Sequence, residues 1–127
     1  MVTTFTPNPA GIKYTFRSKE GPVGQHMAAV GAEMVIRAKH QVGVETGGLK
    51  NAITFRLAMS RGEVITIIEA NHPNALMHHE GTKPHFITPQ KVQVLKFNSN
   101  GKVAFAKAVL HPGTKPNRFL SDNLRPL

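Results

Sequence analysis

Apolar and polar positions change period repeatedly along this chain, and each change marks an element. Ile12, Tyr14 and Phe16 alternate with Lys13, Thr15 and Arg17, which predicts a short strand with one apolar face. Prolines and glycines crowd around it, so residues 1–22 read as an N-terminal arm carrying that strand. From Val23 to Val44 the period becomes helical. Met27, Val30, Met34, Ala38 and Val42 form one stripe, widened by Val35, while Glu33, Arg37, Lys39 and Gln41 lie off it. A helix of that length measures about 30 Å, enough to cross a small sheet. Gly24, Ala28, Ala29, Gly31 and Ala32 make its first half slim, which suits close approach of core elements more than a subunit contact. Thr46-Gly47-Gly48 supplies the stop.

A period of two then returns. Ile53, Phe55, Leu57 and Met59 alternate with Thr54, Arg56, Ala58 and Ser60. Arg61-Gly62 makes a two-residue turn, and Glu63–Ala70 runs back with apolar residues on both faces, which predicts a buried, central strand. Residues 71–91 are irregular apart from one helical turn at Ala75–His79, and a loop of this length in a compact domain tends to carry function. A second hairpin pairs Val92–Phe97 with Lys102–Leu110 through Asn98-Ser99-Asn100-Gly101. Arg118–Leu124 reads as a short terminal helix capped by Asn117, with Leu120 and Leu124 one turn apart. Residues 23–127 thus form one domain.

Inside this pattern one tetrapeptide occurs twice. Gly81-Thr82-Lys83-Pro84 leads into His85-Phe86, and Gly113-Thr114-Lys115-Pro116 leads into Asn117-Arg118-Phe119-Leu120. A histidine precedes each glycine by two positions, in His79-Glu80-Gly81 and His111-Pro112-Gly113. Glycine admits a positive φ, threonine bonds its own backbone, and proline fixes the exit, so each copy should form a rigid exposed elbow bearing a lysine. Phe86 and Phe119 are placed to pin the elbows to the core. The two copies read as similar turns in different places.

Composition narrows the function. Sixteen Lys and Arg against seven Asp and Glu leave a formal charge of +9, which favours polyanionic or acidic partners. The positive charges are spread along the chain and form no block, which weakens a dedicated DNA-binding reading. No run approaches about 20 apolar residues, the N-terminus lacks the features of a signal peptide, and there is no cysteine.

Seven histidines invite an enzymatic reading, and five of them lie in or beside the elbows. His78-His79 with Asn98 or Asn100 and His111 faintly resembles a His-Asn-His nuclease, without the spacing or the cysteines of a zinc site. His79 with Thr82 and His111 with Thr114 would serve as acid and base of a phosphodiesterase, but those motifs are one residue shorter. Lys83 and Lys115 do not lead into a helix, as a phosphate-binding loop requires. A small metal- or histidine-dependent nuclease, and a nucleic-acid-binding module without a recognition helix, are the competing readings. Nothing in the sequence requires catalysis, a metal or a cofactor.

The order of blocks carries the stronger signal. A long helix, Thr46-Gly47-Gly48-Leu49 before a strand, Ala75 to Thr82, and His111-Pro112-Gly113-Thr114 through Phe119-Leu120 to Leu124 together resemble the small neck and tail-component proteins of long-tailed bacteriophages. This is the head–tail connector, tail-completion and tail-terminator group. The resemblance spans about residues 24–127. It implies an α+β fold, a small mainly antiparallel four-stranded sheet with one long helix across it and a short C-terminal helix. It also implies a non-enzymatic virion protein at the head–tail joint, present in the host cytoplasm during assembly. Such a subunit forms a homo-oligomeric ring, hexameric in preference to dodecameric, around the DNA channel. Its partners would be itself, adjoining connector and tail proteins, and genomic DNA in the channel. On that reading His79, Gly81, Thr82, Lys83, Pro84, His111, Pro112, Gly113, Thr114, Lys115, Pro116, Phe119 and Leu120 carry subunit or neighbouring-ring contacts.

Overall fold

Asn8-Pro9 is a helix-start signal that outweighs the short alternation after it. In a computed structural model describing residues 2–43 and 47–124, the segment predicted as a strand is helix α1, Pro9–Arg17. The Asn8 side chain accepts the Gly11 N–H at 3.1 Å, and Pro9 takes the first helical position, where its missing N–H costs nothing. Ile12 and Phe16 then stand one turn apart, though both remain more than half exposed. Beyond α1 the Ser18 hydroxyl donates to the Glu20 carboxylate at 2.6 Å. That bond holds the Glu20 carboxyl below the usual carboxylate range.

The long helix α2 runs Pro22–Gln41 and packs against α1. Its stop comes earlier than the Thr46-Gly47-Gly48 signal. Val42 donates its N–H back to Ala38, and Gly43 follows at φ +73°, the left-handed cap that glycine provides at least cost. Thr46 and the predicted helix end at Val44 lie outside the described residues, and Gly47 opens a single turn, α3, Gly48–Asn51.

The first hairpin keeps its predicted strands and turn, but Glu63–Ala70, predicted as a central strand, pairs on one side only among the described residues. Strand β1, Ile53–Ser60, pairs with β2, Glu63–Ala70, in an antiparallel register from Ile53 opposite Ala70 to Ser60 opposite Glu63. Arg61 and Gly62 both have positive φ, 52° and 77°, the tight turn whose twist matches its strands. Helix α2 packs against both strands, and its slim half explains how: a Cβ on Gly31 would lie 2.5 Å from the Phe55 ring and 2.8 Å from the Thr66 methyl. The Thr66 hydroxyl also donates to the Met27 carbonyl at 2.9 Å. Replacing Gly31 by alanine removes a helix penalty of about 1 kcal/mol but overpacks the contact by 1–3 kcal/mol, so a net loss of about 1 kcal/mol is expected. A lower denaturant midpoint would confirm this, and a raised one would show that the helix stands further off.

The core gathers Ala38, Val42, Ile53 and Phe119, with Val35, Leu49, Ile68, Ala70 and Leu120 against it. The returning C-terminal segment is tied by polar bonds. Asn123 donates to the Gln41 side chain and to the Phe119 carbonyl, both at 2.8 Å, and Gln41 donates to Asp122 at 2.8 Å. Where the sequence predicts a helix over Arg118–Leu124, only a 3-10 turn forms, Ser121–Asn123. Seven residues offer too few intrahelical bonds to repay nucleation. Asn117 does not cap it; its N–H goes to the His78 carbonyl at 3.1 Å.

The chain divides into two compact units, residues 1–75 with 118–127, and residues 76–117. The second holds the helical turn α4, Ala75–Glu80, which begins at the boundary, and two short antiparallel pairs. Strand β3, His85–Ile87, pairs with β6, Val109–His111; β4, Leu95–Ser99, pairs with β5, Lys102–Ala106, through a positive-φ turn at Asn100-Gly101. The fold is α+β with one long helix and antiparallel strands, as the sequence predicts. Among the described residues, however, six strands form three two-stranded ladders, where the resemblance implies four strands in one sheet. Prolines account for part of the difference. Pro84, Pro89 and Pro112 flank β3 and β6, lack the N–H a ladder needs, and keep those strands to three residues.

Candidate functional site: the paired Gly-Thr-Lys-Pro turns

The two copies of the repeat are partners. Thr82 and Thr114 exchange backbone N–H···O bonds, both 3.1 Å, and their hydroxyls lie 3.2 Å apart. The Thr114 N–H also reaches the Thr82 hydroxyl at 3.1 Å. From this bridge the antiparallel register continues to His85 opposite His111, Phe86 opposite Leu110 and Ile87 opposite Val109. Identical sequences therefore meet head to tail about a local two-fold centred on the threonines.

That symmetry explains why glycine occurs in both copies. Gly81 has φ +75° and Gly113 has φ +83°, a region that costs other residues about 1–2 kcal/mol. Each glycine also faces the backbone of the other copy. A Cβ on Gly81 would sit 2.5 Å from the Thr114 carbonyl oxygen and 2.8 Å from the Pro116 nitrogen. On Gly113 it would run into the Thr82 carbonyl oxygen and stand 2.9 Å from the Lys83 carbonyl carbon. Lys83, Pro84, Pro112, Thr114, Lys115 and Pro116 are exposed, so the paired turns present a basic surface on a hydrogen-bonded frame.

The histidines serve the turns. His85 Nδ1–H donates to the Lys83 carbonyl at 2.8 Å, whereas His111 Nδ1 accepts the Gly113 N–H at 3.0 Å. In their neutral forms the two rings are therefore opposite tautomers. They stack with centroids 5.1 Å apart at 27°. The Asn117 side-chain amide donates to His78 Nε2 at 3.4 Å, and His79 Nδ1 pairs with Glu80 at 2.8 Å. The acid–base arrangement weighed from sequence joined His79 to His111; the ring stacked on His111 belongs to His85. Among the described residues no three His, Asp or Glu side chains gather to hold a metal ion.

The remaining expected contact residues separate. Phe119 is fully buried in the core of the first unit and Leu120 packs against that core, so Phe119 offers no surface. Phe86, expected to pin the first elbow, is 71% exposed. The His85–His111 stack was not anticipated, yet the repeat held the signal. Pairing the copies about their threonines places His85, three residues after Thr82, opposite His111, three before Thr114. Compared with known protein families, with curated proteins and with solved structures, the chain matches none.

Proposed function

We propose that this chain is a structural subunit of a tailed phage, acting in the neck or head–tail joining region as part of a homo-oligomeric ring. The observation that carries the reading is the state of residues 76–117. This unit closes its turns and ladders with hydrogen bonds, yet none of its residues is buried among the described residues. Phe86, Leu110 and Leu76 are 71%, 58% and 72% exposed. Two-stranded ladders of this kind are marginal in water alone, and apolar surface held on a rigid frame suits a subunit that completes its packing against neighbours. The block order in the sequence supports the phage assignment, and the paired turns supply rigid contact points of the sort expected there.

The test replaces Phe86 and Leu110, opposite each other on β3 and β6, by serine. Both side chains are exposed, so the thermal midpoint of the isolated protein should stay unchanged. The yield of joined particles should fall by about tenfold or more, the loss expected when an interface anchor is removed. Unchanged joining would overturn the reading. So would phosphodiester hydrolysis by the purified protein that disappears in His111→Ala while the fold is kept.

A further inference from the structure

The lysines are spread along the chain, but the carboxylates are not. Between Glu80 and Asp122 there is no acidic residue, while Lys83, Lys91, Lys96, Lys102, Lys107, Lys115 and Arg118 fall in the same interval. The β4–β5 hairpin lies in the middle of this stretch. Among the described helices and strands, β4 and β5 contact chiefly each other. One face carries Lys96 opposite Phe105 and Asn98 opposite Val103, all four exposed. The other face, with Leu95, Phe97, Ala104 and Ala106, is partly covered, and Lys102 stands exposed beside the turn. Lys91 and Lys107 are exposed at its base.

We infer that the β4–β5 ribbon is a sequence-independent contact for the phosphate backbone of duplex DNA. Three observations favour DNA over an acidic protein. Lysine is the cation most depleted from the cores of protein interfaces, and this unit has six lysines and no arginine. Lysine acts as a hydrated point charge suited to phosphates without fixed geometry. The tip, Asn98-Ser99-Asn100-Gly101, is small and polar, able to donate to phosphate and sugar oxygens. A two-stranded ribbon also fits a duplex groove about 12 Å wide, and five residues per strand extend about 17 Å along it. Phe105 and Val103, on the face of Lys96, then meet sugars between the phosphates, while Lys102 reaches the backbone from the edge of the turn. The inference deepens the reading above, and rests on it only for where the duplex is met.

Binding of the purified full chain to a random-sequence duplex of a few tens of base pairs, measured across salt, tests it. With about four lysines engaged, affinity should fall about a hundredfold between 50 and 200 mM salt. In the triple variant Lys96→Gln, Lys102→Gln, Lys107→Gln the same change should cost only about fourfold. A control with equal charge loss on the other unit, Lys13→Gln, Arg17→Gln, Lys19→Gln, should keep the steep dependence. All six side chains are exposed, so circular dichroism should match the parent in both variants. Equal flattening in both variants would reduce the effect to net charge and overturn the inference. Binding to poly-glutamate in preference to duplex, lost in the ribbon variant, would overturn it in favour of an acidic protein partner. Absence of duplex binding at 50 mM salt would overturn it outright. None of these outcomes bears on particle joining, which tests the assembly reading separately.

Discussion

Gly113→Ala is expected to destabilise the paired turns by about 3 kcal/mol, from about 1–2 kcal/mol for placing a Cβ at positive φ and a similar amount for displacing the facing backbone. The two causes can be separated within this chain. Gly43 has almost the same dihedral, φ +73°, but nothing lies within 4 Å of a Cβ built on it. Gly43→Ala should therefore cost about 1 kcal/mol, the conformational penalty alone. Gly81→Ala should resemble Gly113→Ala, because its Cβ meets the Thr114 carbonyl as Gly113's meets that of Thr82. Amide hydrogen exchange reads the effect locally: protection of the Thr82 and Thr114 amides, which bond each other's carbonyls, should collapse in both variants. Amides inside α2 should keep theirs. If Gly113→Ala costs no more than Gly43→Ala, the copies do not press on each other and the local two-fold loses its physical basis.

The elements that could be read from sequence are those whose local chemistry and packing agree. The β1–β2 hairpin has a clean alternation, a turn tolerant of positive φ, and a helix stripe to cover it, so its pattern, turn and burial point one way. The Asn100-Gly101 turn was equally plain, although its strands proved shorter than the apolar run from Val92 to Leu110. Errors came where two local signals competed. Ile12 to Arg17 alternates like a strand, but Asn8 and Pro9 had already committed the backbone to a helix. The Thr46-Gly47-Gly48 signal predicts the stop of α2 too late, because a single glycine at 43 in the left-handed region suffices. The pairing of the two Gly-Thr-Lys-Pro turns is long-range, and periodicity carries no information about which turns meet. The identity of the copies carried it instead, because an antiparallel pair about a two-fold asks the same residue types of both strands. The charge pattern is hidden for a related reason. The positive residues are evenly spread, and only the gap in the negative ones, from Glu80 to Asp122, marks the basic segment.

Phe119→Ala should cost about 3–5 kcal/mol, the usual range for deleting a buried aromatic side chain and leaving its cavity. Among the described residues Phe119 and Ile53 are the largest fully buried side chains, and Phe119 packs with Ala38, Val42 and Ile53 at the centre of the core. For a domain with the marginal stability typical of its size, that loss removes a third or more of the total. A thermal midpoint lowered by well over ten degrees, or a protein that fails to accumulate, is the expected result. This experiment also decides what Phe119 is for. The sequence placed it among contact residues, whereas its burial makes it the anchor of the segment that follows the second turn. Phe119→Leu keeps most of the apolar volume and should lose under half as much stability. If Phe119 is an anchor, particle joining by Phe119→Leu should track the fraction of folded protein, and joining should recover at temperatures where the variant is folded. A Phe119→Leu protein that is fully folded yet fails to join would mean that the ring is exposed in the assembling state. The aromatic would then be a contact after all, released from the core when subunits meet.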